Sequence, residues 1–130
     1  KFNRYINNKK NIVFIKSLGQ IKYLSALYHC ELMIGNSSSG LVESAIPNIP
    51  VVNIGTRQKG RIRSTNVFDV NYKSSDIIEG IKKAFLYDRT KKCKSLYGNG
   101  DSSKKIIKFI LNSLQNFSNE KIIIKKFIDT

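Results

Sequence analysis

The chain has 130 residues, enough for one domain with a real hydrophobic core, and its 41% apolar content is that of a globular rather than a disordered protein. No apolar run approaches the roughly 20 residues of a membrane-spanning helix. The formal net charge of +14 raises the question of an anionic partner. The lysines are spread among many Asn and Ile, as an AT-rich genome would give, and the stacking aromatics of an RNA-recognition module are not patterned.

In chain order, Asn11–Ile15 is a short β-branched apolar run, read as a strand. Gln20–Cys30 carries apolar residues at 21, 24, 27 and 28, the spacing of a helix with one buried face. Glu31–Ile34 reads as a second strand that ends at Gly35-Asn36. Gly40–Ala45 reads as a short helix stopped by Pro47 and Pro50. Val51–Ile54 and Asn66–Val70 are a third and fourth strand. A helix starts at Ser74-Ser75-Asp76, where Ser or Asp can cap and an acid sits in the first turn, with Ile77, Ile78, Ile81, Ala84 and Phe85 following at helical spacing. Leu96–Asp101 is a loop. Ser102–Phe117 is an amphipathic helix expected to turn Ile106, Ile107, Ile110, Leu111 and Leu114 inward.

This alternation of strand and helix predicts an α/β, Rossmann-like parallel sheet flanked by helices over residues 1–118, followed by a Lys/Ile-rich tail over 119–130. The chain opens on Lys1 rather than Met, so it reads as a fragment or one domain of a longer protein, and no signal peptide is visible in these residues. Cys30 and Cys93 stand far apart with a single histidine, His29, between helix and strand. That pattern supports neither a disulfide framework nor a metal site, and it fits reduced thiols in a cytoplasmic protein. Cys30 reads as a small core residue and His29 as a helix-end residue.

In parallel sheets of this kind ligands sit beyond the carboxyl ends of the strands, so the turns after Ile15, Ile34 and Ile54 should share one rim. Asn36-Ser37-Ser38-Ser39-Gly40 offers three hydroxyls and a run of backbone N–H groups at a helix start, a cradle for phosphate oxygens. A plain helix cap needs only one of those serines. The segment is neither a Walker A loop nor a GxGxxG fingerprint. Glu43 suits either a ribose diol or the first-turn dipole. Arg57, Lys59, Arg61 and Arg63 place four cations in a loop straight after a strand, suited to a diphosphate or simply to solvent. Asp69 can orient a neighbouring loop.

At these residues the chain resembles a known family. Gly35-Asn-Ser-Ser-Ser-Gly-Leu-Val-Glu43, Pro50-Val-Val-Asn-Ile-Gly-Thr-Arg-Gln-Lys-Gly-Arg61 and Asn66-Val-Phe-Asp-Val70 are similar to the hydrolysing UDP-N-acetylglucosamine 2-epimerases of sialic acid biosynthesis and their relatives acting on legionaminic acid precursors. The resemblance runs from about Asn11 to Ala84, and the joint motif is highly specific. It implies the C-terminal half of a GT-B fold. UDP would be held by Ser37, Ser38, Ser39 and Gly40 at the diphosphate, Glu43 at the ribose and Arg57 near the diphosphate. Tyr23 falls where the family places an aromatic or apolar residue beside uracil, although a core aromatic fits that helix as well. Lys16-Ser17-Leu18 offers backbone groups to the uracil edge, or forms an ordinary strand-to-helix connection.

The resemblance also implies no cofactor, no nucleic acid or membrane partner, and a homo-oligomer at full length. The catalytic carboxylates would lie on the enzyme's N-terminal domain, a histidine of the site would precede Lys1, and no catalytic residue is expected in this chain. Asn48 stands where relatives commonly carry Gly, and Asn is the next-best residue for a left-handed turn. The implied reaction eliminates UDP across C1–C2 of UDP-N-acetylglucosamine and adds water to release N-acetylmannosamine. Two other readings stand beside it: the nucleotide-sugar domain of a GT-B glycosyltransferase, and a basic nucleic-acid-binding module, against which Glu43 speaks because it would repel phosphates.

Overall fold

The computed structural model describes residues 9–91 and 93–116. Its elements are α1 (Gly19–His29), β1 (Met33–Gly35), α2 (Ser39–Val42), β2 (Val51–Ile54), β3 (Val67–Val70), α3 (Ser74–Phe85) and α4 (Ser102–Asn116). The three strands form a parallel sheet in the order β1-β2-β3. The register sets Ile34 opposite Val52 and Asn53 opposite Asp69. The architecture is therefore α/β and Rossmann-like. Contacts divide the chain into two units, Lys1–Lys94 with the sheet and Ser95–Thr130 with α4. The tail over 119–130, and the boundary expected before it, lie outside the described residues.

The central strand β2 is apolar because both of its faces are covered. Val51 and Val52 are buried, together with Leu41, Ala45, Ile49, Leu27 and Ala84. Each of the Val, Leu and Ile side chains among them contributes about 1.5–3 kcal/mol on leaving water. Alternation along β2 sends Val51 to one face and Val52 to the other. Gly40 of α2 lies on the Val51 face, where an added Cβ would stand 2.9 Å from Val51 Cγ1 and 3.7 Å from Met33 Sδ. Gly80 of α3 lies on the other face, against Val70 and Val52. The serine turn and α3 thus cover opposite faces of the sheet.

Four expectations are corrected. Asn11–Ile15 forms no strand. A turn at Lys9–Ile12 leads into chain with no regular structure, with Val13, Phe14 and Ile15 exposed. The β-branched pattern is present, but strand structure requires a hydrogen-bonded neighbour, and the sheet's three strands do not include this run. In α1 only Leu27 is buried, while Ile21 and Tyr28 face water. The N-cap of α3 is Lys73, one residue before the expected serines, with no side-chain cap bond, while Asp76 occupies the first turn as expected. The residues expected inward on α4, from Ile106 to Leu114, are exposed. Helical spacing marks an apolar stripe and does not say whether anything covers it.

Asn48 has φ 54°, the left-handed conformation its sequence context called for. It also does what glycine cannot. Its Nδ2 donates to the carbonyls of Arg89 and Lys91, at 2.7 Å each, and its Oδ1 accepts the Tyr87 hydroxyl at 2.7 Å. Burial pushes the Tyr87 phenol up from its ordinary pKa, so it stays a proton donor. Nearby, buried Asn66 donates to Ser44 Oγ and to the Ile49 carbonyl, fastening the turn before β2 to the start of β3. Replacing Asn48 with Gly keeps the turn but loses three hydrogen bonds, and the expected cost is about 1–2 kcal/mol. Asn48→Ala adds the left-handed penalty of about 1–2 kcal/mol. Urea unfolding should rank wild type above Asn48→Gly above Asn48→Ala, and equal midpoints for all three would contradict this account.

Candidate functional site

The rim at the carboxyl ends of β1 and β2 is built from two loops, and a buried amide joins them. Gln58, 3% exposed, donates from Nε2 to the Asn36 carbonyl at 2.7 Å. The serine turn and the loop 55–63 are thereby held side by side, as the parallel topology predicts. Beneath them runs a polar chain. Asn53, buried in β2, donates to Asp69 Oδ1 at 2.6 Å, and Asp69 Oδ2 pairs with Arg63 Nε at 2.6 Å. Arg63 Nη2 then donates to the Gln58 carbonyl at 3.0 Å. Asp69 orients the basic loop in this way. Arg63 is committed to the fold and is not available to a ligand.

The serine turn differs from the expectation in two respects. Helix α2 is a single turn of four residues, so it offers little macrodipole, and Glu43 is its C-cap. Its backbone N–H groups are also largely engaged within the turn, Leu41 N donating to the Ser38 carbonyl at 3.0 Å. Ser39 N donates to Ser37 Oγ at 3.3 Å, and Gly40 N to the Ser37 carbonyl at 3.2 Å. The Ser39 hydroxyl is hydrogen-bonded to the Tyr23 hydroxyl. Ser37 and Ser38 are exposed, and among the described residues the Ser38 hydroxyl makes no hydrogen bond. Arg57 is exposed and makes no ion pair among the described residues. Of the predicted site residues, the Ser38 hydroxyl, the Glu43 carboxylate and the Arg57 guanidinium therefore have no side-chain partner among the described residues, whereas Gly40 serves by letting the turn lie on Val51.

Tyr23 and Glu43 meet in one open cleft of about 570 Å³, whose other walls are the segment from Ile15 to Gln20. That size is typical of a small-molecule site. It places the first turn, Lys16-Ser17-Leu18, beside Tyr23, and the Tyr23–Ser39 bond ties the cleft to the serine turn. A second hollow, beside β3 and α3, is lined by Asp69, Asp76 and Glu79 and is unsuited to an anion. No group of three or more His, Cys, Asp or Glu side chains fit to hold a metal occurs among the described residues. Cys30 and Cys93 are free.

The sequence model of the family described as UDP-N-acetylglucosamine 2-epimerase matches residues 1–111, across both loops and the cleft. The chain belongs to the UDP-N-acetylglucosamine 2-epimerase family. It is 37% identical over 95 residues to the UDP-N,N'-diacetylbacillosamine 2-epimerase (hydrolyzing) of Legionella pneumophila, a match covering 73% of this chain and 25% of that protein. It is 38% identical over 123 residues to the GDP/UDP-N,N'-diacetylbacillosamine 2-epimerase (hydrolyzing) of Campylobacter jejuni, covering 94% of this chain and 31% of that protein. It is 39% identical over 79 residues to polysialic acid biosynthesis protein P7 of Escherichia coli, covering 60% and 20%. The chain thus spans between a quarter and a third of the length of the first two relatives.

Within this epimerase-family chain, sequence reasoning gave no role to Gln58 or Asn53. The available signal was Asn53 itself, a polar residue inside the apolar strand Val51-Val52-Asn53-Ile54. A buried strand carries such a residue only when it has a partner. Gln58→Glu removes the donor to Asn36 and sets a carboxylate against its carbonyl. Amide hydrogen exchange should then rise several-fold in residues 36–40 and 57–63 and stay unchanged in β2. Exchange that is unaltered in both loops would show that the amide bond does not hold them.

Proposed function

We propose that this chain is the C-terminal, UDP-gripping domain of a hydrolysing UDP-N-acetylglucosamine 2-epimerase with a GT-B layout. The observation that carries the reading is the Gln58–Asn36 bond, which makes one rim of the serine turn and the Arg57 loop next to the Tyr23–Glu43 cleft. Uracil lies in the cleft against Tyr23, with the backbone of Lys16-Ser17-Leu18 at its edge. The Glu43 carboxylate accepts hydrogen bonds from the ribose diol. The diphosphate rests on the serine turn, with the Ser38 hydroxyl and Ser37 donating to it and Arg57 countering its charge.

In the reaction so proposed, a proton leaves C2 of the sugar as the C1–O bond breaks, giving an unsaturated sugar and UDP. Water then adds across the double bond to yield N-acetylmannosamine. Negative charge grows on the departing diphosphate, so donors and a cation fixed beside it before the step lower the barrier. The base that takes the C2 proton belongs to the N-terminal domain of the same enzyme. Two relatives are named for a diacetylated bacillosamine sugar, and that difference lies at the sugar end. The nucleotide grip proposed here serves either sugar. The full enzyme acts in the cytoplasm, where free cysteines persist as thiols, and assembles as a homo-oligomer.

Calorimetry on this chain should detect UDP binding with no turnover of UDP-N-acetylglucosamine, and a folded sample that takes up no UDP at millimolar concentration would refute the proposal. Ser38→Ala and Glu43→Ala should each weaken UDP by about 1–3 kcal/mol, the range for hydrogen bonds involving charged groups. Ser39→Ala should cost less than Ser38→Ala, because the Ser39 hydroxyl is already engaged by Tyr23. The reverse order would show that Ser39, and not Ser38, faces the ligand.

A further inference from the structure

Tyr72 lies two residues beyond β3, outside both loops of the rim, and is 68% exposed. It nonetheless contacts the start of the loop after β2. The ring lies across the backbone of Gly55, so close that any side chain at Gly55 would collide with it. Gly55 has φ 76° and donates to the Val70 carbonyl at 2.7 Å. The Tyr72 oxygen accepts the Thr56 N–H at 3.3 Å. Hydrogen bonding by Thr56, through its side chain first and its backbone second, holds the Tyr72 phenol below its ordinary pKa. That is the direction expected of an oxygen that accepts hydrogen bonds.

The residue between the two anchored positions is Arg57. Before it, Thr56 is bonded to Tyr72, and after it, Gln58 is buried and bonded to Asn36. The Thr56 carbonyl also accepts the Lys59 N–H at 2.9 Å, closing the turn around Arg57. A surface loop carrying an unpaired cation would ordinarily move, and an anion binding there would have to order it. Fixing the backbone on both sides of the cation removes that cost before the ligand arrives.

We propose that Tyr72 is a positioning residue that braces Gly55 and Thr56 so that Arg57 is presented to the diphosphate of a bound nucleotide. The inference rests on the UDP-binding reading above. Tyr72 acts on the diphosphate end alone, since it does not line the cleft formed by Tyr23, Glu43 and the segment from Ile15 to Gln20. Tyr72→Phe keeps the ring on Gly55 and loses the acceptor for Thr56. Tyr72→Ala loses both.

The test is NMR titration of this chain with UDP and with uridine, on wild type, Tyr72→Phe, Tyr72→Ala, Arg57→Ala and the Arg57→Ala/Tyr72→Ala double variant. Tyr72→Ala should bind UDP about tenfold more weakly, the scale of ordering one backbone residue anew, with uridine affinity unchanged. Tyr72→Phe should fall between it and wild type. The double variant should bind UDP no more weakly than Arg57→Ala alone, because the brace works through that cation. Hydrogen exchange of the Thr56 amide in ligand-free Tyr72→Ala should be faster than in wild type. Equal losses for UDP and uridine, additive losses in the double variant, wild-type UDP affinity in Tyr72→Ala, or an unchanged Thr56 amide would each overturn the inference. A wild-type chain that binds no UDP overturns the functional reading instead, and Tyr72's part in nucleotide binding with it.

Discussion

One hydrogen bond, from the buried Gln58 Nε2 to the carbonyl of exposed Asn36, decides how this molecule presents its surface. The turn after β1 and the loop after β2 each leave the sheet with polar backbone and charged side chains, and neither has a core of its own. Alone, each would sample many conformations. Joined through an amide shielded from water, where a hydrogen bond cannot be exchanged cheaply for one to solvent, they act as one rim. The polar chain from Asn53 through Asp69 to Arg63 supports the same amide residue from below by its backbone carbonyl.

That arrangement divides the charges of the basic loop between two tasks. Arg63 lies toward the sheet and meets the Asp69 carboxylate, so its charge is answered within the protein. Arg57 lies on the exposed turn, flanked by anchored neighbours, and its charge is answered by solvent or ligand. A run of cations that looks uniform in sequence is thus sorted by geometry, with Arg63 paired inside the protein and Arg57 left exposed. The serine turn is sorted likewise: Ser39 is bound to Tyr23 while the Ser38 hydroxyl points to no protein partner among the described residues.

Much of this was legible beforehand. Val51–Ile54 appears as a strand with the expected bounds because a short β-branched run between proline and glycine has few alternatives. Asn48 adopts the left-handed turn because a short polar side chain is the usual substitute for glycine there. The juxtaposition of the two loops followed from parallel topology. The Asn11–Ile15 strand did not follow, because a strand is a relation between two segments and a one-dimensional pattern records only one of them. The inward face assigned to α4 failed for the same reason: an apolar stripe is a property of the helix, while its burial depends on what lies opposite.

The amino-acid sequence by itself determined the fold class, the family and the two loops that form the rim, because hydrophobic period, turn residues and the Asn-Ser-Ser-Ser-Gly and Arg-Gln-Lys-Gly-Arg motifs are local properties of the chain. Only the tertiary structure decided which donors are free. It gave Gln58 and Asn53 their buried partners, withdrew Arg63 and the Ser39 hydroxyl from the surface's open chemistry, and set Tyr72 over Gly55. Whether a polar group is spent or available depends on the atoms within about 3 Å of it, and those come from segments far apart in the chain.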